Sequence, residues 1–397
     1  MLGRRVNLKK LLVFSQFFYP DQTGTGKVLA ELFSYLARKG FAVTALSSRQ
    51  IHNDSKNTIL AAHEVWEKVE IHRVFKNFKD KNKPLGRIFN YLMFFIQACF
   101  YTLQTGLHKN KDILISVSNP PIMPLLPVIL KGKRKFIYLI HDLYPDIAIK
   151  MGATKPNSLM AKVILAVNNF VFLKADKIIV LGRDMKQYLI DNYLVNADKI
   201  VVLTNWAEKV NCPSCSPANE FKLIYSGNMG KFHSLEMLLD LAVSMGDINI
   251  CFIGAGAQRD SLQAKAEKLA LTNVEFSPFL EQEQYLRKMQ QASAFVVSLE
   301  KNLTGLAVPS KFYTYLSLGK PIICISEPES EMAQIIVEAD CGFVVAHGDL
   351  VALERAVAKL LDKKTQLQMA ENAKKVFTEK YEKTLVVAQY EKLLESL

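Results

Sequence analysis

Short apolar runs alternate along this chain with longer stretches in which apolar residues return every three or four positions. The first run, Leu11-Leu12-Val13-Phe14, ends in a turn-like Tyr19-Pro20-Asp21 and in Gly24-Thr25-Gly26. Lys27 to Arg38 then carries Val28, Leu29, Leu32, Phe33 and Leu36 at helical spacing, and Gly40 precedes a strand-like Ala42 to Leu46. The same pattern predicts strands at Ile113 to Val117, Lys135 to Ile140, Lys177 to Leu181 and Lys199 to Leu203. Residues 208–219, with two prolines and little periodicity, read as a linker. After it the alternation restarts: strand Phe221 to Tyr225, loop Gly227-Asn228-Met229-Gly230, helix Leu235 to Met245, strand Ile248 to Ile253, loop Gly254-Ala255-Gly256 and helix Arg259 to Leu269. Further strands are expected at Val274 to Phe276, Ala294 to Ser298, Pro321 to Ile325 and Gly342 to Ala346. Strands and helices in alternation make the fold class α/β, with two doubly wound parallel sheets.

Of the glycine loops, Thr23 to Val28 invites a P-loop reading. That motif needs a Gly five residues before the Gly-Lys pair and a Ser or Thr after the Lys. Asp21 and Val28 stand there instead, so the reading fails. Gly24 and Gly26, and Gly227 and Gly230, could let backbone N–H groups approach an anion beside a helix N-terminus, or each loop could be only a tight turn. Gly254-Ala255-Gly256 lacks the third glycine of a dinucleotide fingerprint.

The chain has 397 residues, half of them apolar, and a formal charge of +12, which excludes disordered and disulfide-stapled classes. The excess is segregated: residues 1–150 hold 23 basic and 10 acidic side chains, residues 151–397 hold 27 and 28. Arg73 to Arg87 contributes six basic residues and only Asp80, and the uncharged Ile88 to Leu107 follows. A basic run beside an aromatic-rich helix fits contact with anionic lipid rather than nucleic acid; the alternative is a helix buried against the sheet. Six cysteines form no framework, Cys212 and Cys215 lack the second pair or histidines of a zinc site, and no secretion signal is read, so a reduced, cytoplasmic setting is expected.

The order of motifs resembles family 4 glycosyltransferases. It comprises Phe17 to Pro20 with Gly24, Gly26 and Leu36-Ala37-Arg38-Lys39-Gly40, then Tyr225 to Gly230, Phe252 to Gly256, and Val308-Pro309-Ser310-Lys311 with Gly319-Lys320-Pro321. Within that family it is similar to bacterial enzymes of O-antigen, capsule or exopolysaccharide synthesis. The resemblance implies a GT-B fold, two Rossmann-like domains with an interdomain cleft. Residues 1–207 would form an acceptor domain and 220–378 a nucleotide-sugar domain, with a helix at 379–397 returning to the first. It implies a retaining transfer of a sugar from a nucleotide-diphosphate sugar to a lipid-linked saccharide or polyprenyl-diphosphate acceptor, peripheral to the cytoplasmic membrane, without a cofactor or metal. Rival readings are a GT-B sugar-nucleotide epimerase and a catalytically silent binding subunit.

His141 follows a predicted strand, where α/β sheets place ligands, and is the candidate for the reacting centre; otherwise it is a structural histidine with Asp142 as a helix cap. The resemblance assigns Lys311, with Lys231, to the leaving diphosphate and Pro309, Ser310, Gly227, Asn228, Gly254 and Gly256 to the nucleotide. The family's two glutamates fall on Leu306 and Thr314, and Glu300 nearby is the carboxylate that could take the ribose contact.

Overall fold

The computed structural model describes residues 9–21, 24–51, 58–75, 84–210, 220–230 and 235–397. Lys231, Cys212, Cys215 and the centre of the basic run at 76–83 lie outside them. The chain divides into two compact units, 1–203 with 387–397, and 204–386. The boundary thus precedes the proline-bearing stretch at 208–219.

Unit 1 runs β1 (Lys10–Phe14), α1 (Gly24–Arg38), β2 (Ala42–Ser48), β3 (His63–Trp66), β4 (Val69–Val74), α2 (Pro84–Thr105), β5 (Ile113–Val117), α3 (Leu125–Leu130) and β6 (Lys135–Ile140). It continues through α4 (Asp146–Lys150), α5 (Leu159–Lys174), β7 (Lys177–Val180), α6 (Arg183–Tyr193) and β8 (Ile200–Val202). The sheet order is β3-β4-β2-β1-β5-β6-β7-β8, parallel except for β3 against β4. Strand order reverses between β1 and β5. Strands covered on both faces must be apolar throughout, which is why Leu11 to Phe14 and Ile113 to Val117 are unbroken runs.

Unit 2 holds β9 (Lys222–Ser226), α7 (Glu236–Ser244), β10 (Asn249–Ile253), α8 (Arg259–Lys268), β11 (Val274–Ser277), α9 (Gln282–Gln290), β12 (Ala294–Ser298), α10 (Lys311–Ser317) and β13 (Ile322–Ile325). Then come α11 (Glu331–Ala339), β14 (Gly342–Val345), α12 (Leu350–Leu361) and α13 (Lys363–Val376). Its sheet is wholly parallel in the order β11-β10-β9-β12-β13-β14, reversing between β9 and β12. Ser330, Asp349 and Asp362 cap α11, α12 and α13 by accepting backbone N–H bonds.

Three expectations change. Helix α1 begins at Gly24, so Gly24 to Gly26 form its first turn rather than a loop before it. The first turn of a helix needs no internal N–H acceptors, so glycine costs little there. The predicted helix over 379–397 is broken by an extended Glu382, after which α14 (Lys383–Ser396) starts. There Ala207 donates to Tyr381 O at 3.3 Å and accepts from Lys383 N at 3.0 Å, a cross-link that fixes the break. The hairpin β3–β4 has no counterpart in the sequence reading. Its turn residues, Glu67 and Lys68, take positive φ, the conformation of a tight hairpin usually advertised by Asn-Gly.

In unit 1, α2 and α3 cover one sheet face: Phe94 and Ala98 of α2 pack with Leu126 and Leu130 of α3 and Phe14 of β1. On an apolar seam elsewhere in the unit, Leu32 and Leu36 of α1 meet Tyr390 and Leu394 of α14, Ile137 and Ile179. Polar ties hold α14 there: Lys9 Nζ donates to Leu394 O at 3.0 Å, and Tyr35 OH to Glu391 Oε2 at 3.2 Å. Leu394→Ala is expected to destabilise the protein by about 2–4 kcal/mol, read as a lower urea midpoint, because a 2% exposed leucine is deleted from a closed seam.

Candidate functional site

In an open parallel sheet, ligands bind beyond the C-terminal strand ends where strand order reverses. Each unit has one such point.

In unit 2 it is built by the loops after β9, β10 and β12. Gly227 N donates to Ile253 O at 2.8 Å, Met229 N to Ala255 O at 2.7 Å and Gln258 N to Met229 O at 2.9 Å, so the first two loops are zipped backbone to backbone. A Cβ on Gly254 would stand 2.1 Å from Gly227 O, and one on Gly256 2.5 Å from Met229 O. These glycines are therefore required by the approach of one loop to the other, and the Gly227 and Met229 N–H groups, spent on that zipper, are not available to an anion. The phosphate-cradling role expected of Gly227 is therefore closed to its backbone N–H, which Ile253 O already accepts. Lys311, at the start of α10, holds its Nζ 2.6 Å from Tyr225 OH and 3.9 Å from the centre of the Tyr225 ring. A Cβ on Gly227 would lie 3.4 Å from that Nζ. Tyr225 OH in turn donates to Asn228 O at 2.8 Å.

Burial lowers the Lys311 ammonium to about 7, and among the described residues no carboxylate pairs with it. A part-buried cation without an anion is unfavourable in the empty protein and favourable once an anion arrives. Two further tyrosines brace the floor: Ser226 N–H donates to Tyr315 OH at 2.8 Å, and Ser226 Oγ bonds Tyr285 OH at 3.0 Å. Ser310 is exposed just before α10 with its side chain making no capping bond, behind the part-buried Pro309. Thr314 lies one helical turn beyond Lys311 on the same side of α10. Leu306 is fully buried, which explains an apolar residue where the family has an acid. Glu300 is part-buried just beyond β12, the strand beside β9, and accepts from Lys301 N at 3.1 Å.

In unit 1 the corresponding place is flanked by β1, β5 and β6. Gln16 Oε1, two residues beyond β1, Asn119 Oδ1, two beyond β5, and His141 Nε2, one beyond β6, are all buried without a hydrogen-bond partner. Three such orphans at the ends of three adjacent strands make this a candidate place for a polar ligand, since an unmet buried group costs about 1–3 kcal/mol. Sequence reasoning found His141 and missed Gln16 and Asn119; the available signal was their position just past apolar runs. Ser118 Oγ accepts from His141 N at 3.2 Å and Asp142 N at 3.3 Å, fixing the turn. Asp142 caps no helix, because α4 starts at Asp146 after Pro145. Burial pushes the His141 imidazole down to about 4 and the Asp142 carboxyl up to about 6. His141 is thus a neutral imidazole at neutral pH, suited to hydrogen-bonding a hydroxyl rather than to pairing with a charge. Gly24 opens α1 after β1, and a Cβ there would meet nothing within 4 Å.

Two substitutions test this geometry. Gly254→Ala, at φ +133° and against the Gly227 carbonyl, should cost more than about 2 kcal/mol and lower the melting temperature. Asp142→Asn should stabilise by about 2 kcal/mol above pH 6, where the native protein holds a desolvated carboxylate. That advantage should fade as pH falls from 6 toward 3.8, where folded and unfolded states are both protonated, and denaturant titrations across that range measure it.

Comparisons with known proteins bear on the family and the fold. The family model for glycosyltransferase family 4 matches residues 23–208, and that for glycosyl transferases group 1 matches residues 213–376. The probable glycosyltransferase WbjE of Pseudomonas aeruginosa is 24% identical over 374 residues, 89% of this chain and 90% of its own. The putative colanic acid biosynthesis glycosyl transferase WcaI of Escherichia coli K12 is 21% identical over 353 residues, 82% and 85% of the two chains. Among solved structures, sucrose-phosphate synthase from Thermosynechococcus elongatus superposes with a TM-score of 0.78 at 15% identity, covering 98% of both chains. Anabaena Alr3699/HepE, solved in complex with UDP-glucose, gives 0.69 at 16% identity, over 98% of this chain and all of its own. The expected GT-B fold is therefore present, and with both halves of the chain matched the protein belongs to the family 4, group 1 glycosyltransferases.

Proposed function

We propose that this enzyme is a retaining glycosyltransferase of cell-surface polysaccharide synthesis, moving a sugar from a nucleotide-diphosphate sugar to a lipid-linked saccharide or polyprenyl-diphosphate acceptor. The observation that carries the donor is Lys311: a part-buried ammonium over the Gly227 loop, without a carboxylate partner among the described residues. The bond from the sugar's anomeric carbon to the diphosphate breaks, and a bond from that carbon to an acceptor oxygen forms. Charge growing on the leaving diphosphate meets Lys311, and the acceptor's proton passes to the departing phosphate. Glu300 takes the ribose, with Thr314 adding a neutral contact. His141, with Gln16 and Asn119, binds sugar hydroxyls at the reacting centre. No metal or cofactor is required by this scheme. HepE's complex with UDP-glucose and WcaI's colanic acid assignment support the donor class and the pathway class.

Lipid enters through unit 1. Ile88, Leu92, Ile96, Phe100 and Leu103 leave an apolar stripe exposed along α2, opposite the buried Phe94 and Ala98. The helix is thus buried on one face and bare on the other. Among the described residues no helix is long and apolar enough to cross a membrane. A stripe flanked by Arg87 and the 73–87 basic run suits the anionic, cytoplasmic surface of a membrane.

Incubation with a panel of nucleotide sugars and polyprenyl-linked acceptors should release nucleoside diphosphate only when donor and acceptor are both present; release of a free, altered sugar would instead identify an epimerase. His141→Ala should lower turnover at least about a hundredfold with nucleotide binding unchanged within a few-fold. Because Lys311 titrates near 7 in the free protein and an anion raises it, nucleoside diphosphate affinity should fall, by at most about tenfold per pH unit, as pH rises above 7. Calorimetry on Lys311→Gln should show weaker binding with that slope abolished. Phe100→Glu should reduce co-sedimentation with anionic vesicles about tenfold, and neutral vesicles should bind poorly from the start.

A further inference from the structure

The hairpin at the edge of the unit 1 sheet carries a second cluster, which shares no residue with the groups assigned to donor or acceptor. Register pairs His63 with His72 and Val65 with Glu70, so strand alternation sets His63, Glu70 and His72 on one face. Glu70 Oε1 lies 3.4 Å from His63 Nε2 and 3.1 Å from His72 Nε2, and the three atoms lie within 4.8 Å of one another. A tetrahedral ion with bonds of about 2.0–2.1 Å holds its ligand atoms about 3.3 Å apart. Two of the three edges already have that length.

The hydrogen bonding around the cluster favours an ion over a plain ion pair. His72 Nε2 is buried and makes no hydrogen bond although Glu70 Oε1 is so close; the two atoms are near without the alignment an N–H···O bond needs. His72 Nδ1 instead meets Tyr101 OH of α2 at 2.8 Å. Donation from Nδ1–H to that oxygen leaves the Nε2 lone pair facing the cluster, the arrangement by which metal-bound histidines are held. Thr44 Oγ1 donates to Glu70 Oε2 at 3.2 Å, which orients the carboxylate and leaves Oε1 for the cluster. Lys111, the nearby cation, donates to Thr44 Oγ1 and so stands on the Oε2 side. The His63 side chain is half exposed, giving an ion a way in and leaving room for water as a fourth ligand.

We propose that His63 Nε2, His72 Nε2 and Glu70 Oε1 bind one divalent transition-metal ion, with Zn2+ the best match to two imidazoles and a carboxylate. The ion ties the edge strand β3 to β4 and, through Tyr101, to α2. It is a clip on the hairpin and takes no part in sugar transfer.

The test is a titration of Co2+ into the full chain after dialysis against chelator. One equivalent should give the intense visible absorption of tetrahedral cobalt, and Zn2+ should displace it. Affinity should fall at least about tenfold in His72→Asn and in Glu70→Gln, and about tenfold in Tyr101→Phe with the stoichiometry kept. Zn2+ should raise the melting temperature of the parent and leave that of His72→Asn unmoved. The doubly substituted Cys212→Ser, Cys215→Ser protein should bind as the parent does. The assignment is overturned if the parent binds no ion at micromolar concentration, if the spectrum is the weak one of octahedral cobalt, if affinity is undiminished in His72→Asn, or if binding disappears with the cysteines. Should the hairpin variants fold poorly, the parent's stoichiometry and spectrum together with Tyr101→Phe still decide the matter.

Discussion

The strand-reversal site of unit 2 depends on one contact, the meeting of the Gly227 carbonyl with the backbone of Gly254. Because no Cβ stands at Gly254 or Gly256, the loops after β9 and β10 close into a hydrogen-bonded ledge. Gly227, at φ +124°, lies beside the Lys311 ammonium, which Tyr225 steadies. Remove the backbone contact and the ledge moves, and with it the carbonyl of Asn228 that anchors Tyr225. The glycines thus build the platform beside which one charged side chain stands. That chain stands at the reversal between β9 and β12, where two neighbouring strands send their loops in opposite directions and leave a gap.

Unit 1 solves the same topology with neutral groups. Gln16, Asn119 and His141 project from consecutive strand ends, and burial keeps the imidazole uncharged. The helices around this sheet are asymmetric: α2 spends Phe94 and Ala98 on the core and leaves Ile96, Phe100 and Leu103 bare. A water-facing helix would place polar side chains there, and the bare stripe lies in residues 1–150, the part of the chain that carries the +13 excess.

The sequence by itself determined the two sheets, because strands buried on both faces must be unbroken apolar runs, and Leu11 to Phe14 or Ala294 to Ser298 announce themselves without any neighbour. It determined the family through the order of its glycine and Pro-Ser-Lys motifs, and it singled out His141 and Lys311. Only the tertiary structure decided what surrounds those residues. Whether a glycine loop cradles phosphate or packs on another loop depends on a chain segment some 27 positions away, which local spacing does not encode. The hairpin β3–β4 escaped notice because Glu67 and Lys68 take a conformation their side chains do not advertise, and with it went the juxtaposition of His63, Glu70 and His72. Those three residues have no metal-motif spacing along the chain; cross-strand register alone brings their ligand atoms together. Periodicity is a local property and was legible, whereas register and the close approach of backbones arise only when separate segments meet.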